Sequence, residues 1–325
     1  MDAAPSTTMT WPEMNVDSSE ARNRAALAVS SGEQCRRRGM WSDCGLLVLY
    51  EEVHERYHHP DDTRAFLKHL ASCLPATCVP IIVTDAGFKS PWFKAVAALG
   101  WYYVGRVRHR DFVRFPDEDA WFPAKTLYEQ ATSRPKALGE LWIPRATPML
   151  TRAYVYYKGA KGRIRLTAKG KRRRNGPSLK HAKREREPWL LISNLSPRRG
   201  LEKQIVAIYR DRMAIEEAFR DLKAYRHGFA LRINLGRNAE RIANLLLIAA
   251  LATWVVWLTG LVGIARALTR SLQANTERRR RVLSTFFIGT RLLKHAIRLR
   301  AHEINAAFDK LCLDISERTI QHAVI

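Results

Sequence analysis

Between Val79 and Val107 the chain carries its clearest structural instruction, an α/β alternation of strand, helix and strand. Val79 to Thr84 is an apolar, β-branched run with Asp85 at its carboxyl end. Gly87 then releases the chain, Ser90-Pro91 opens a helix in cap and first-turn positions, and Trp101 to Val107 returns as a strand. In open α/β sheets, function gathers outside the carboxyl ends of strands, which is where Asp85 falls. Read locally, Asp85 is a turn or helix-cap aspartate; read by its place at a strand end, it stands where functional groups gather.

A second stretch, Tyr209 to Lys223, reads YRDRMAIEEAFRDLK. At roughly 100° per residue, Tyr209, Arg212, Glu216, Arg220 and Lys223 fall within an arc of about 80° on a helix. Ile208, Ile215, Ala218, Phe219 and Leu222 cluster on a neighbouring arc, as a face packed on a core does. One carboxylate thus sits among cationic and hydrogen-bonding groups beside a buried stripe. That suits a metal-binding acid held against a phosphate backbone. It also suits an ordinary amphipathic helix with an Arg212–Glu216 pair.

Composition narrows the partner. The 325 residues hold 55 Lys and Arg against 31 Asp and Glu, a net charge of +24, which calls for a polyanion, nucleic acid first. The length suits one large domain plus an insertion. The five cysteines (Cys35, Cys44, Cys73, Cys78, Cys312) make no zinc framework and read as reduced cytosolic thiols. The N-terminus lacks a basic start followed by an apolar run, so no secretory signal is expected. Leu245 to Ile264 is twenty residues without a charge, flanked by Arg241 and Arg266. It is long enough to span a bilayer, but a solitary apolar stretch between basic polar regions is expected to be a buried core helix.

The remaining signals are coarser. Residues 1–40 form a poorly defined segment containing Arg36-Arg37-Arg38. Leu46–Tyr50 reads as a short strand, and Thr63 to Leu74 as an amphipathic helix capped by Asp61 or Asp62, with Phe66, Leu67, Leu70, Ala71 and Leu74 on one face. Residues 111–187 read as a β-rich insertion, with a basic hairpin (AYVYYKGAKGRIRLTAK) turning near Gly159 and Gly162. Nine of the eighteen residues 169–186 are Lys or Arg, among them Arg172, Arg173 and Arg174. Such a run is a mobile loop that either contacts phosphates or is merely solvated. Trp189-Leu190-Leu191-Ile192 re-enters the core, and 237–325 reads as helical. His58-His59 beside Asp61 and Asp62 is read as a polar loop.

The Y-x2-R-x3-E-x6-K spacing resembles the YREK signature of bacterial insertion-sequence DDE transposases of the cut-and-paste, hairpin-forming type (insertion-sequence family four). Thr84–Arg110, TDAGFKSPWFKAVAALGWYYVGRVRHR, resembles that family's second-aspartate segment, and Gln273–Ala296 its closing region. The resemblance covers about Leu46 to Ala296. It implies an α/β, ribonuclease-H-like mixed sheet with helices, interrupted by a β-rich insertion domain and followed by a helical C-terminal region. The core would occupy 41–110 and 188–236, with the insertion at 111–187 and the helical region at 237–325.

The resemblance further implies metal-dependent cleavage and strand transfer at transposon ends. Asp85 and Glu216, 131 residues apart, match the second and third acids that would hold two Mg2+ ions, Mn2+ substituting. The nearest match to the first acid is Asp17, 33 residues before Tyr50, without the family's following tryptophan; Asp43, close ahead of the second strand, is the poorer candidate. Tyr209, Arg212, Arg220 and Lys223, with Arg172–Arg174, would grip DNA. Trp189 either stacks a flipped base, as in the family, or is a core tryptophan. The implied partners are inverted-repeat and target DNA bound by a homodimer, in the cytoplasm at the nucleoid and away from membranes. The family's N-terminal DNA-binding region has no room before the first strand, which implies a truncated copy. A catalytically inactive remnant that only binds DNA is the alternative.

Overall fold

A computed structural model of the protein describes residues 60–74, 76, 78–108, 111–159, 186–212, 239–273 and 281–323. The chain divides into two compact units, Ile81–Arg210 and Met1–Pro80 with Asp211–Ile325.

The first unit is built on a five-stranded mixed sheet. β1 (Ile81–Thr84) leads into α2 (Ser90–Ala98) and returns as β2 (Tyr102–Val107), parallel to β1. All four β1 residues are buried, as an apolar β-branched run requires. The helix starts at Ser90 with Pro91 in its first turn, where a missing N–H costs nothing. The residue in the cap position is Lys89, which makes no side-chain cap, while the Ser90 hydroxyl turns to Thr147. Gly105 lets α2 lie close on β2, because a Cβ there would sit 2.3 Å from the Phe93 ring.

Two short strands, β3 (Phe112–Val113) and β4 (Phe122–Pro123), form a separate ribbon, followed by a 3-10 helix at Ala124–Gln130. β5 (Lys136–Ile143) and β6 (Met149–Tyr156) then pair antiparallel, with a register shift at Gly139. β7 (Trp189–Ser193) slots between β2 and β6, antiparallel to both, giving the order β1-β2-β7-β6-β5. The β5–β6 pair, within the interval expected as an insertion, therefore extends the same sheet. β6 takes its partners from β5 and β7; the second arm of the expected basic hairpin lies outside the described residues. α3 (Leu201–Asp211) buries Ile205, Ile208 and Tyr209.

The described part of the second unit is helical. α1 (Pro60–Ser72) begins ahead of the expected cap, so Asp61 and Asp62 fall within the helix. Phe66, Leu67 and Leu70 are buried as expected. The expected strand at Leu46–Tyr50 lies outside the described residues.

The long uncharged stretch forms α4 (Ala239–Ala265), followed by α5 (Thr269–Leu272), α6 (Thr285–Lys294) and α7 (Ala301–Ala323). α4 packs Leu261 and Val262 on Ala307 and Leu311 of α7, and Val256 and Trp257 on Phe286 of α6. The α4–α6 contact is made through glycines: a Cβ on Gly289 would lie 1.8 Å from the Val256 carbonyl oxygen, and one on Gly260 2.1 Å from that of Thr285. The expectation of a buried core helix holds for one face only among the described residues. Leu247, Ile248, Leu251 and Val255 are 59%, 61%, 60% and 53% exposed and share one face, because α6 and α7 cover only the other. By length and composition α4 is also apolar enough to cross a membrane. Arg266, just past α4, clamps Glu303 in the first turn of α7 with Nε and Nη2 at 2.7 and 2.5 Å.

Two outcomes follow from this packing. Gly289→Ala should cost about 1–3 kcal/mol by overpacking, despite the ~1 kcal/mol that alanine gains over glycine within a helix. Gly159→Ala, with nothing within 4 Å, should change stability by less than about 0.5 kcal/mol. Equal urea midpoints for the two variants would contradict the close helix contact. The second outcome concerns Glu303, which Arg266 and the Arg300 N–H pull down from the ordinary 4.5 to about 2. A lowered folded-state value means the pair contributes fully above about 4.5 and is lost as pH falls towards 2. NMR titration should show Glu303 returning to the ordinary carboxylate range in Arg266→Ala; an unchanged value would refute the clamp.

Candidate active site

Strand directions gather the chemistry-bearing residues of the sheet unit at one edge. Thr84 pairs with Gly105 in the parallel β1–β2 ladder, so Asp85 leaves β1 level with Arg106 on the neighbouring strand. β7 runs the opposite way, with Leu190 opposite Val107, so its first residue, Trp189, and the preceding Glu187 lie where β1 and β2 end. Tyr156, the last residue of β6, pairs with Trp189, which brings Lys158 to the same edge. Adjacent strands lie about 4.8 Å apart, so these groups line a continuous rim.

Asp85 is held by its own turn. Its Oδ1 accepts the Gly87 N–H at 2.9 Å, which fixes the carboxylate against the strand end. The other oxygen makes no hydrogen bond or ion pair among the described residues, and the residue is half-buried. The turn reading of Asp85 thus holds, and among the described residues its second carboxylate oxygen is left without a partner. Two residues after Gly87, Lys89 pairs with Asp111 at 3.2 Å.

Beside it sits a cluster that sequence reasoning missed. Glu187 binds Arg108 at 2.7 Å, lies 3.6 Å from Arg106, and accepts the Tyr128 hydroxyl at 3.0 Å. Burial, and then the Glu187 charge, push the Tyr128 phenol well above its usual range, so it stays a donor at working pH. Among the described residues, buried guanidinium nitrogens of Arg106 (Nε and Nη2) and Arg108 (Nε) have no hydrogen-bond acceptor. Such orphan donors are costly, and two cations share one carboxylate. The available signal was the basic tail of the second strand, Arg106-Val-Arg108, at a strand's carboxyl end.

Trp189 is 9% exposed. Its ring meets Tyr209 edge-on at 4.9 Å and Tyr156 at 5.8 Å, and the Lys158 ammonium stands 5.3 Å from its centre. Tyr209 is itself buried, in the last turn of α3, so the signature tyrosine faces the core and Trp189. Arg212 is half-buried in the turn after α3. The other expected site residues (Glu216, Arg220, Lys223, Asp17 and Arg172–Arg174) lie outside the described residues. Among the described residues, no group of three or more His, Cys, Asp or Glu is placed to hold a metal; the Asp85 carboxylate is the donor they contribute.

No curated protein matches the chain. A family model, described as transposase DDE domain, matches residues 48–253, more than half of the sequence. The matched stretch contains the five described strands of the sheet with their rim of Asp85, Arg106, Arg108, Lys158 and Trp189, and it extends through the positions of Tyr209, Arg212 and Glu216. This chain belongs to the transposase DDE domain family.

Proposed function

We propose that the protein is a DNA transposase that cuts phosphodiester bonds at the ends of a mobile element and joins them to target DNA, by a cut-and-paste route on a ribonuclease-H-like fold. The observation that carries this reading is the rim where the Asp85 carboxylate leaves its strand level with Arg106, with Arg108 further along the same strand. Asp85 and Glu216, with Asp17 as third acid, would hold two Mg2+ ions. The donor chemistry fits, since Mg2+ prefers hard oxygen ligands and keeps several waters. When bound, such a pair activates a water or 3′-hydroxyl and stabilises the leaving oxygen.

The protein's own residues supply aim and grip. The Asp85 turn keeps its carboxylate from rotating away. Arg106 and Arg108, tethered by Glu187, place positive charge at the strand end beside that acid, where it favours an approaching phosphodiester. Arg212, Arg220 and Lys223, with Arg172–Arg174, hold the transposon end along its backbone. For Trp189, 9% exposed, to stack an extruded base, the groups that cover its ring, Lys158 among them, must move aside; such stacking is worth about 1–3 kcal/mol per base. Work on a synapsed pair of ends implies a homodimer on DNA, in the cytoplasm at the nucleoid.

The decisive experiment is Mg2+-dependent cleavage of a cognate end. Asp85→Ala and Glu216→Ala should each lose about a thousandfold in rate, the worth of several kcal/mol of charge stabilisation, while duplex binding persists. Cleavage that survives either change would overturn the assignment. A wild type that binds ends but cuts none with Mg2+ or Mn2+ would instead be the inactive remnant. A second test places a fluorescent adenine analogue at the end. Its emission should be quenched by wild type and brighten in Trp189→Leu; equal emission would remove the base-stacking role.

A further inference from the structure

The matched domain ends at residue 253, and the helices beyond it carry a cationic pocket that the proposed reaction does not use. Arg266, Arg298, Arg300 and Glu303 line about 330 Å³ at the corner where α4 ends and α7 begins. The Glu303 carboxylate is already engaged, by both Arg266 nitrogens and by the Arg300 N–H at 2.9 Å. Arg266 Nη2 also donates to the Arg298 carbonyl at 3.0 Å, which pins the loop ahead of α7. The Arg298 and Arg300 side chains are exposed and make no ion pair or hydrogen bond among the described residues. The pocket thus holds three guanidiniums against one carboxylate, an excess of two positive charges.

We propose that this corner is a second DNA contact: a site for phosphodiester oxygens of duplex DNA, with Arg298 and Arg300 as the ligands and the Arg266–Glu303 clamp as their rigid base. Planar guanidiniums match phosphate oxygens in pairs, and the clamp supplies preorganisation that a solvated charge run lacks. The surrounding chain is suited to the same partner, because Arg291 to His302 carries Arg291, Lys294, Arg298 and Arg300 and no acid. Glu303 stays ionised down to about pH 2 under its partners' pull, so the pocket keeps one charge state at every working pH. Contacts of this kind read no sequence; their role is to hold flanking or target duplex while the rim acts on the end. The proposal rests on the DNA-acting reading above.

The test is equilibrium binding of a short random-sequence duplex to the full chain, across about 50–200 mM NaCl. Each phosphate contact adds about 0.9 to the slope of log K against log salt. Arg298→Ala/Arg300→Ala should therefore bind with a slope shallower by about 1.8, and the wild-type advantage should shrink about tenfold across that range. Arg298→Lys/Arg300→Lys should keep most of the slope. Metal-dependent end cleavage by the alanine variant should persist once DNA is saturating, which separates this site from the rim. Wild-type affinity and slope in the alanine variant would overturn the proposal and leave the transposase reading standing. A wild type that retains no duplex at low salt would overturn both. A loss confined to anionic lipid vesicles, with DNA binding intact, would reassign the pocket to a membrane surface and overturn the DNA contact.

Discussion

The docking of β7 between β2 and β6 is the interaction on which the sheet unit depends. It joins segments some ninety residues apart, and side chains as well as backbone fix its register. Asn194, just past the strand, receives the Tyr103 N–H at 2.8 Å and donates to the Trp101 carbonyl at 2.9 Å, continuing the ladder one residue beyond its end. Ser193 donates to the Tyr103 carbonyl at 2.7 Å. The Tyr103 hydroxyl lies 2.9 Å from the Thr151 hydroxyl, which reaches the Ser193 carbonyl at 3.2 Å. A strand whose side chains all lie buried has no solvent face to specify its register; this polar lattice specifies it instead.

Register decides the chemistry. A slip of one residue along β7 would carry Glu187 and Trp189 away from Arg108 and Tyr156 and turn their side chains to the opposite faces. With register held, two carboxylates (Asp85 and Glu187), two arginines, a lysine and an aromatic pair share one rim. Among the described residues Glu187 serves both Arg106 and Arg108. Three cations against two carboxylates leave the rim positive, which suits a polyanion.

The sequence was most legible where the signal was local. A β-branched run, a proline in a first turn and a following aromatic strand announced β1, α2 and β2, and with them the position of Asp85. It was least legible where pairing is distant. β5 breaks its alternation at Gly139, which has positive φ, so Lys136–Ile143 does not read as a strand of the main sheet. Arg108 finds its acid 79 residues away, a distance at which no spacing rule operates. α4 shows a different limit: a run apolar all round reveals its length but not which face its neighbours will cover. The signature tyrosine, placed by periodicity on the cationic arc, lies in the core with its ring edge-on to Trp189.

One claim stands beneath the functional account, that Asp85 and Glu216 jointly hold divalent ions. Iron(II) bound in place of Mg2+, with ascorbate and peroxide, cuts the polypeptide beside its own ligands and so reports the site without any DNA or turnover. The account predicts fragments ending near Asp85 and near Glu216, suppressed together by excess Mg2+ and lost together in Asp85→Ala. Cuts at only one of these positions, or cuts indifferent to Asp85, would show that the two acids do not share an ion.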